Sequence, residues 1–288
     1  MTPSQTAHIL VEALPYIRQF AGKSVVVKLG GAAIDQESDR ALAQDVLLLR
    51  SVGVRIVLVH GGGPQVDTML RRVGKEPEFK DGLRVTDEET LEIVRMVLVG
   101  KINRDLVGTI NGQAGDDPVA VGVSGEDAGL LTVTAADPAL GFVGNVSSVR
   151  AELVHRLLDD GLTPVISTVG ANADGHPYNV NADEAARAIA VAMNAEKIVY
   201  LTAVPGLLAD PKDETSLIER LTAAELRERI AHDSVGKGMI PKLRACADAV
   251  EQGVNFAHII DGRVHHSLLI ELLTDHGVGT MIKREASW

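Results

Sequence analysis

The sequence predicts an α/β protein, a three-layer αβα sandwich around an open, mostly parallel central sheet, with an extra helix in front of it. Three observations carry that expectation. Short apolar, β-branched runs alternate with helix-length segments along most of the chain, the pattern of right-handed strand–helix–strand crossovers. Hydrophobic residues make up 45% of the chain but aromatic residues only 3%, so the core is one of Val, Leu, Ile and Ala, as in sheets covered on both faces. Glycine turns follow two successive predicted strands, at Gly30-Gly31 and at Gly61-Gly62-Gly63, at the sheet edge where open α/β folds place ligands.

In chain order, an amphipathic helix is expected over 2–20, with Ile9, Leu10, Ala13, Leu14, Ile17 and Phe20 at helical spacing and Pro15 interrupting it. A strand over 25–29 holds the β-branched Val25, Val26 and Val27. Helix 36–52, strand 55–59 and helix 64–73 follow. Residues 76–85 are polar and turn-rich, and Thr86 with Glu89 makes a capping-box pattern that opens a helical stretch to about residue 110. Next come strands 119–123 and 130–134, helix 150–158, strand 163–168 and a hairpin over 170–178 signalled by Asn172, Asp174 and Gly175. Helix 182–193, strand 197–201, helices 223–230 and 242–252, strand 256–260 and helix 267–274 complete the pattern.

A chain of 288 residues can bury a sizeable core, and with no internal repeat or low-complexity linker two lobes sharing one sheet are expected rather than separable domains. The net charge of -11 leaves no basic stripe for nucleic acid or an anionic membrane surface, so an anionic ligand must be met locally. Cys246 is the single cysteine, which excludes an intrachain disulfide or a cysteine metal site and suits a reducing compartment. The N-terminus lacks the features of a secretory signal, and no apolar run approaches the ~18 residues of a membrane span. A cytoplasmic protein with no membrane partner is expected.

Several segments carry candidate chemistry. Lys28 stands at the tip of the first strand, before Gly30 and Gly31; glycine backbone, helix N-terminus and ammonium together make an anion site, or the segment is an ordinary strand-to-helix turn. The second loop, His60-Gly-Gly-Gly-Pro, repeats the arrangement, with Gly61, Gly62 and Gly63 as backbone donors and His60 in a packing role. Arg84 lies in a turn before a helix and offers either a planar fork for a carboxylate or a surface charge. Asn179, Asn181 and Asp183 alternate along an extended approach to an alanine-rich helix, so they share one side; capping needs only one of them, which leaves a ligand site or turn chemistry for the others. Lys242 closes Gly236-Lys-Gly-Met-Ile-Pro-Lys242 at another helix start, as a second clamp on phosphate or as a solvated lysine.

Taken together, Lys28-Leu-Gly-Gly, His60-Gly-Gly-Gly-Pro, Gly82-Leu-Arg-Val-Thr, Asn179-Val-Asn-Ala-Asp and Gly238-Met-Ile-Pro-Lys resemble the amino-acid kinase superfamily in order and spacing. Within it, Gly82-Leu-Arg-Val-Thr and Asn179-Val-Asn-Ala-Asp resemble the N-acetyl-L-glutamate kinases. The likeness runs from about 25 to 282, with departures at Ser124-Gly-Glu126-Asp127 and Thr202-Ala203-Val204, where the family has Lys and Asp. It implies transfer of phosphate from ATP, with Mg²⁺ carried by the nucleotide, to the γ-carboxylate of N-acetyl-L-glutamate in arginine biosynthesis. It implies catalytic roles for Lys28, Lys242 and Asp183, phosphate binding by Gly30 and Gly31, and substrate binding by Gly61, Gly62, Gly63, Arg84, Asn179 and Asn181. No metal is expected on protein ligands. Residues 1–20 would be an interlacing helix, 21–288 the kinase domain, with the acylamino-acid lobe over about 21–178 and the ATP lobe over about 179–288. Arginine-inhibited members further imply L-arginine as effector at Tyr16, Lys197, His266, Glu271 and Gly279, in a trimer of dimers; packing of the first helix on its own domain is the plain alternative. Another small-acid kinase of the superfamily, or a silent amino-acid sensor of the same fold, remain the alternative functions.

Overall fold

The computed structural model describes residues 2–30, 36–210, 213, 215–232, 235, 239–274 and 277–285. Strand β1 (Ser24–Leu29) is buried at every position from Val25 onward, as its unbroken apolar run requires, and it therefore lies inside the sheet with neighbours on both edges. The central sheet has eight strands. In spatial order they are β12 (Arg220–Thr222), β14 (Gly279–Lys283), β13 (Phe256–Asp261), β11 (Lys197–Thr202), β1, β2 (Arg55–His60), β8 (Thr163–Ser167) and β5 (Ala120–Ser124). Every neighbouring pair is parallel except β13 and β14. In this register Lys28 lies between Tyr200 of β11 and Val59 of β2.

Because side chains alternate along a strand, the sheet divides its residues between two cores. Val25, Val27 and Leu29 of β1 join one face with α2 (Gln36–Ser51), α3 (Gly63–Arg72), α4 (Glu88–Arg95), α5 (Asn103–Ala114) and α10 (Ser267–Leu273). Val26 joins the other, with α6 (Glu152–Asp159), α7 (Ala182–Ala192), α8 (Ala223–Ala231) and α9 (Ile240–Glu251). This is the expected three-layer arrangement. Lys28 has the parity of Val26, so it emerges on the face of α7 and α9. Ala185, Ala186 and Ala190 are fully buried there, and their small side chains let α7 lie close over the strand.

A second sheet closes on itself as β6 (Leu131–Ala135), β7 (Val143–Val149), β9 (Val169–Ala171) and β10 (Pro177–Val180). The expected hairpin is its β9–β10 pair, with the Asn172 side-chain oxygen accepting from the N–H groups of Asp174 and His176. A short hairpin, β3 (Phe79–Lys80) and β4 (Leu83–Arg84), turns through Asp81 and Gly82, both at positive φ, the backbone demanded by a two-residue turn.

The structure corrects the expected elements in several places. Strands β7, β12 and β14 were not anticipated; β7 is Val-Gly-Asn-Val-Ser-Ser-Val, too polar and glycine-bearing to carry an apolar strand signal alone. Helix α1 (Pro3–Phe20) runs through Pro15 without interruption; Val11, whose carbonyl the proline cannot serve, is 65% exposed, so solvent takes that acceptor. Thr2 caps α1 in a capping box with Gln5. The Thr86–Glu89 box does not form: α4 begins at Glu88, and Asp87 is its cap, accepting from Thr90 N–H at 2.9 Å. A segment of π-helix, Met96–Ile102, joins α4 to α5. Among the described residues no helix is long and apolar enough to cross a membrane.

The cap assignment has a measurable consequence. Asp87→Ala should destabilise the protein by about 1 kcal/mol, whereas Glu89→Ala, which loses only one arm of an exposed ion pair to Lys75, should cost less than about 0.5 kcal/mol. Urea unfolding midpoints of the two variants check this; equal costs would return the cap to the Thr86–Glu89 pair.

Candidate active site

Three helical and strand ends deliver one charge each to a single point. Lys28 near the end of β1, Asp183 in the first turn of α7 and Lys242 in the first turn of α9 meet at one atom: each lysine Nζ lies 2.8 Å from Asp183 Oδ1. Lys28 and Lys242 are buried to 7% and 8% exposure. Burial alone would raise the Asp183 pKa, but the two ammonium groups outweigh it and bring the carboxyl down to about 2. Burial pushes Lys28 below the ordinary lysine value, with Asp183 opposing the shift. Lys28 and Asp183 line a cleft of about 310 Å³, and Lys242 is tied to it through the shared Asp183 oxygen. Tyr200 supports it from within the sheet. Its ring lies 5.2 Å from Lys242 Nζ, and its hydroxyl donates to the Asp183 carbonyl at 3.3 Å.

Gly61, Gly62 and Gly63 form the opposite wall. Gly62 is the N-cap of α3 and brings no side-chain cap, so first-turn N–H groups of that helix remain for an anion. A Cβ on Gly62 would collide with Leu98 and Ile102, and one on Gly61 would press on Ala182 at 3.2 Å. Gly30 departs from the expectation of a phosphate donor. Its N–H continues the sheet ladder to the Leu201 carbonyl at 3.1 Å, and its missing Cβ is what permits that approach. Gly31, and Gly236 to Gly238 of the lysine segment, lie outside the described residues.

Arg84 enters the same cleft from β4, buried and already oriented. Its guanidinium pairs with Asp67 at 2.5 Å, donates to the Gly63 carbonyl at 3.1 Å and stacks 4.8 Å from the Phe79 ring. Asn179 donates to the Thr86 hydroxyl at 3.2 Å, and Thr86 in turn donates to the Arg84 carbonyl. Asn181 is the cap of α7, its oxygen accepting from the N–H groups of Asp183 and Glu184, so its NH₂ is what remains for a ligand. Asp67 and Tyr200 escaped the sequence reading because each acts on a partner that no local pattern connects to it, and Thr86, expected as a helix cap, instead accepts from Asn179. His60 is buried and packed, as anticipated, with its pKa lowered by burial to about 4. Of the two departures from the family pattern, Glu126 forms an ion pair with Arg95 at 2.9 Å, and Thr202 hydrogen-bonds around Ala203 to Val204.

A second cleft, of about 520 Å³, is lined by the end of α1 and by residues of β12, β13 and β14 and gathers Tyr16, Lys197, Glu271 and Gly279. His266 does not belong to it. At the start of α10, with a left-handed backbone (φ 60°), it turns to α2 and pairs with Asp45 at 2.5 Å. The histidine in the cleft is His258, paired with Glu271 at 2.5 Å and held by burial at a pKa of about 4. Lys197 lies 3.6 Å from Glu271 and 5.0 Å from the Phe20 ring. Burial alone would raise the Glu271 pKa; the bond to His258 and the Lys197 charge bring it below its usual value.

Comparison with known proteins places this arrangement. The amino acid kinase family profile matches residues 23–261. The chain is 50% identical to the acetylglutamate kinase of Corynebacterium urealyticum, covering 99% of this chain and 95% of that one. It is 52% identical to the acetylglutamate kinase of a Synechococcus, over 95% and 91%. Among solved structures, the N-acetylglutamate synthase of Neisseria gonorrhoeae complexed with coenzyme A and L-arginine superimposes with a TM-score of 0.83 at 29% identity; the match covers 97% of this chain but 66% of the longer synthase. Giardia carbamate kinase, at 18% identity and a TM-score of 0.69 over 92% of this chain and the whole of that one, shares the fold. By sequence, fold and motif order, this chain belongs to the amino acid kinase family, among the acetylglutamate kinases.

Proposed function

We propose that the chain transfers the γ-phosphoryl group of ATP to the γ-carboxylate of N-acetyl-L-glutamate, forming N-acetyl-L-glutamyl 5-phosphate for arginine biosynthesis in the cytoplasm. The observation that carries this reading is the pair of buried lysines on one Asp183 oxygen, with Lys28 and Asp183 sharing a cleft with Gly61, Gly62, Gly63 and Arg84. A carboxylate is a competent nucleophile at neutral pH, so no general base is required. Catalysis is then alignment and neutralisation of charge on the transferring group.

Each residue has a matching task. Lys28 and Lys242 stabilise the phosphoryl oxygens from two sides, and Asp183 holds both ammonium groups in place. Gly61, Gly62 and Gly63 present backbone dipoles to the acceptor and the transferring group. Arg84 offers its fork to a substrate carboxylate, and Asn179 and Asn181 meet the acetamido end. Residues of about 21–178 supply the acid-binding lobe and about 179–288 the nucleotide lobe. Among the described residues no group of three metal-ligating side chains occurs, and Asp183 already serves two ammonium groups. This donor set fits Mg²⁺ held by nucleotide phosphates and water, where it would shield phosphate charge.

We extend the reading to regulation. L-arginine fits the second cleft: Glu271 accepts a guanidinium, and His258, whose Nδ1 donates to Glu271, keeps Nε2 as an acceptor with no partner among the described residues. The synthase seen with L-arginine supports that chemistry. Helix α1 lines the cleft with Tyr16 and Phe20 while Ile9, Leu10, Val11 and Leu14 stay exposed, a face suited to interlacing subunits into a trimer of dimers.

Three measurements test the proposal. Lys28→Met and Lys242→Met should each lower kcat about 100-fold, ~3 kcal/mol of activation free energy, with the fold retained; near-normal turnover at saturating substrates removes the assigned role. Arg84→Lys should raise KM for N-acetyl-L-glutamate while leaving KM for ATP nearly unchanged, since lysine keeps the charge but loses the fork; the reverse pattern moves Arg84 to the nucleotide side. Deleting residues 1–20 should give a smaller, active and arginine-insensitive enzyme by light scattering and ADP-release assay. A hexamer with undiminished arginine inhibition after that deletion overturns the regulatory account.

A further inference from the structure

His60 and Asn103 are buried to 0% and 1% exposure, yet the chemistry above uses neither, and both stand directly behind the glycine wall. Asn103 donates to His60 Nε2 at 3.2 Å and to the Val165 carbonyl at 2.8 Å. Its side-chain oxygen accepts from the Arg104 guanidinium. His60 Nδ1 lies 3.0 Å from the Gly61 carbonyl. Gly122 of β5 makes room for this: a Cβ there would occupy the place of the Asn103 oxygen and the Arg104 guanidinium.

The hydrogen-bond directions follow from the chemistry of the groups. Arg104 only donates, so the Asn103 oxygen must face it and the NH₂ must face His60 and Val165. His60 Nε2 therefore accepts, the ring proton sits on Nδ1, and Nδ1–H donates to the Gly61 carbonyl. Because a peptide unit is planar and trans, tying the Gly61 carbonyl back to His60 turns the Gly62 N–H of the same unit the opposite way. The π-helical winding before Asn103 serves the same end. The Asn103 N–H reaches five residues back to Leu98, which stacks Leu98 and Asn103 on one side of the helix. Leu98 and Ile102 then press on Gly62 while Asn103 meets His60.

We propose that Arg104, Asn103 and His60 are positioning residues, a one-way hydrogen-bond relay that sets the Gly61–Gly62 peptide so that its N–H faces the site of phosphoryl transfer. The proposal rests on the reading of this cleft as the catalytic one. With its pKa held down to about 4 by burial, His60 stays neutral, and the relay keeps its direction, across the working pH range.

Two variants separate relay from packing. In His60→Asn the side-chain NH₂ falls near the position of Nδ1 and preserves the donor to Gly61; in His60→Gln the amide falls near Nε2, fills more volume and loses that donor. The relay expects His60→Asn to keep at least ~10-fold more kcat than His60→Gln, with KM for ATP moved less than about 3-fold in both. A packing role expects the larger Gln to do as well or better, and that result overturns the proposal. The wild-type protein gives an independent measurement that survives misfolding of either variant: ¹⁵N NMR of histidine-labelled protein should find His60 protonated on Nδ1 and not on Nε2. A proton on Nε2 overturns the relay whatever the acceptor substrate proves to be. Failure of the wild type to release ADP with N-acetyl-L-glutamate would instead strike the functional reading, while the NMR tautomer still decides the relay.

Discussion

The contact on which the rest of the site depends is the sharing of one Asp183 oxygen by Lys28 and Lys242. Two buried ammonium groups that meet on one oxygen repel one another, and the carboxylate between them offsets that repulsion and the lost hydration. Asp183 thus has a structural task inseparable from its functional one. It also explains why three distant segments must arrive with high accuracy: the sheet supplies Lys28, and two helix N-terminal turns supply the other members. Lys28 and Asp183 are the members of the trio that line the cleft.

The sheet accomplishes this by parity. Lys28 is two residues from Val26 and so shares its face, under α7 and α9, while Val25, Val27 and Leu29 pack the opposite layer. A one-residue slip of β1 would send Lys28 into the wrong core, which is the reason its register between β2 and β11 is pinned by buried valines along its length. The closed β6–β7–β9–β10 sheet has a comparable role for the acid side, since β10 runs directly into Asn179, Asn181 and the cap of α7. Charged groups elsewhere follow the same rule of mutual support. Lys197 and Glu271 neutralise one another in the second cleft while neutral His258 hydrogen-bonds to Glu271, and Arg84 is oriented by Asp67 before any ligand arrives.

The glycine loops divide their labour differently from a simple pair of anion cradles. Gly30 is needed where the chain passes close to Leu201, and its N–H belongs to the sheet. Gly62 is needed because Leu98 and Ile102 fill the space of a side chain. Two strand-end glycines therefore serve close backbone approach in one case and side-chain packing in the other.

Much of this was legible in the residues alone. Alternation of apolar runs set the layers, β-branched stretches the inner strands, and the lysines, Arg84 and Asn179-Val-Asn-Ala-Asp the members of the site, because each is written in local periodicity or in side-chain chemistry. Tertiary structure decided which of these meet. It put His258 in the second cleft and turned His266 toward Asp45, moved the helix cap from Thr86 to Asp87, committed the Gly30 N–H to Leu201 and brought Asn103 to His60. Those outcomes hang on strand order, backbone φ and contacts between residues tens to hundreds of positions apart. A local pattern specifies the face on which a side chain stands, and only the packed chain specifies what stands opposite.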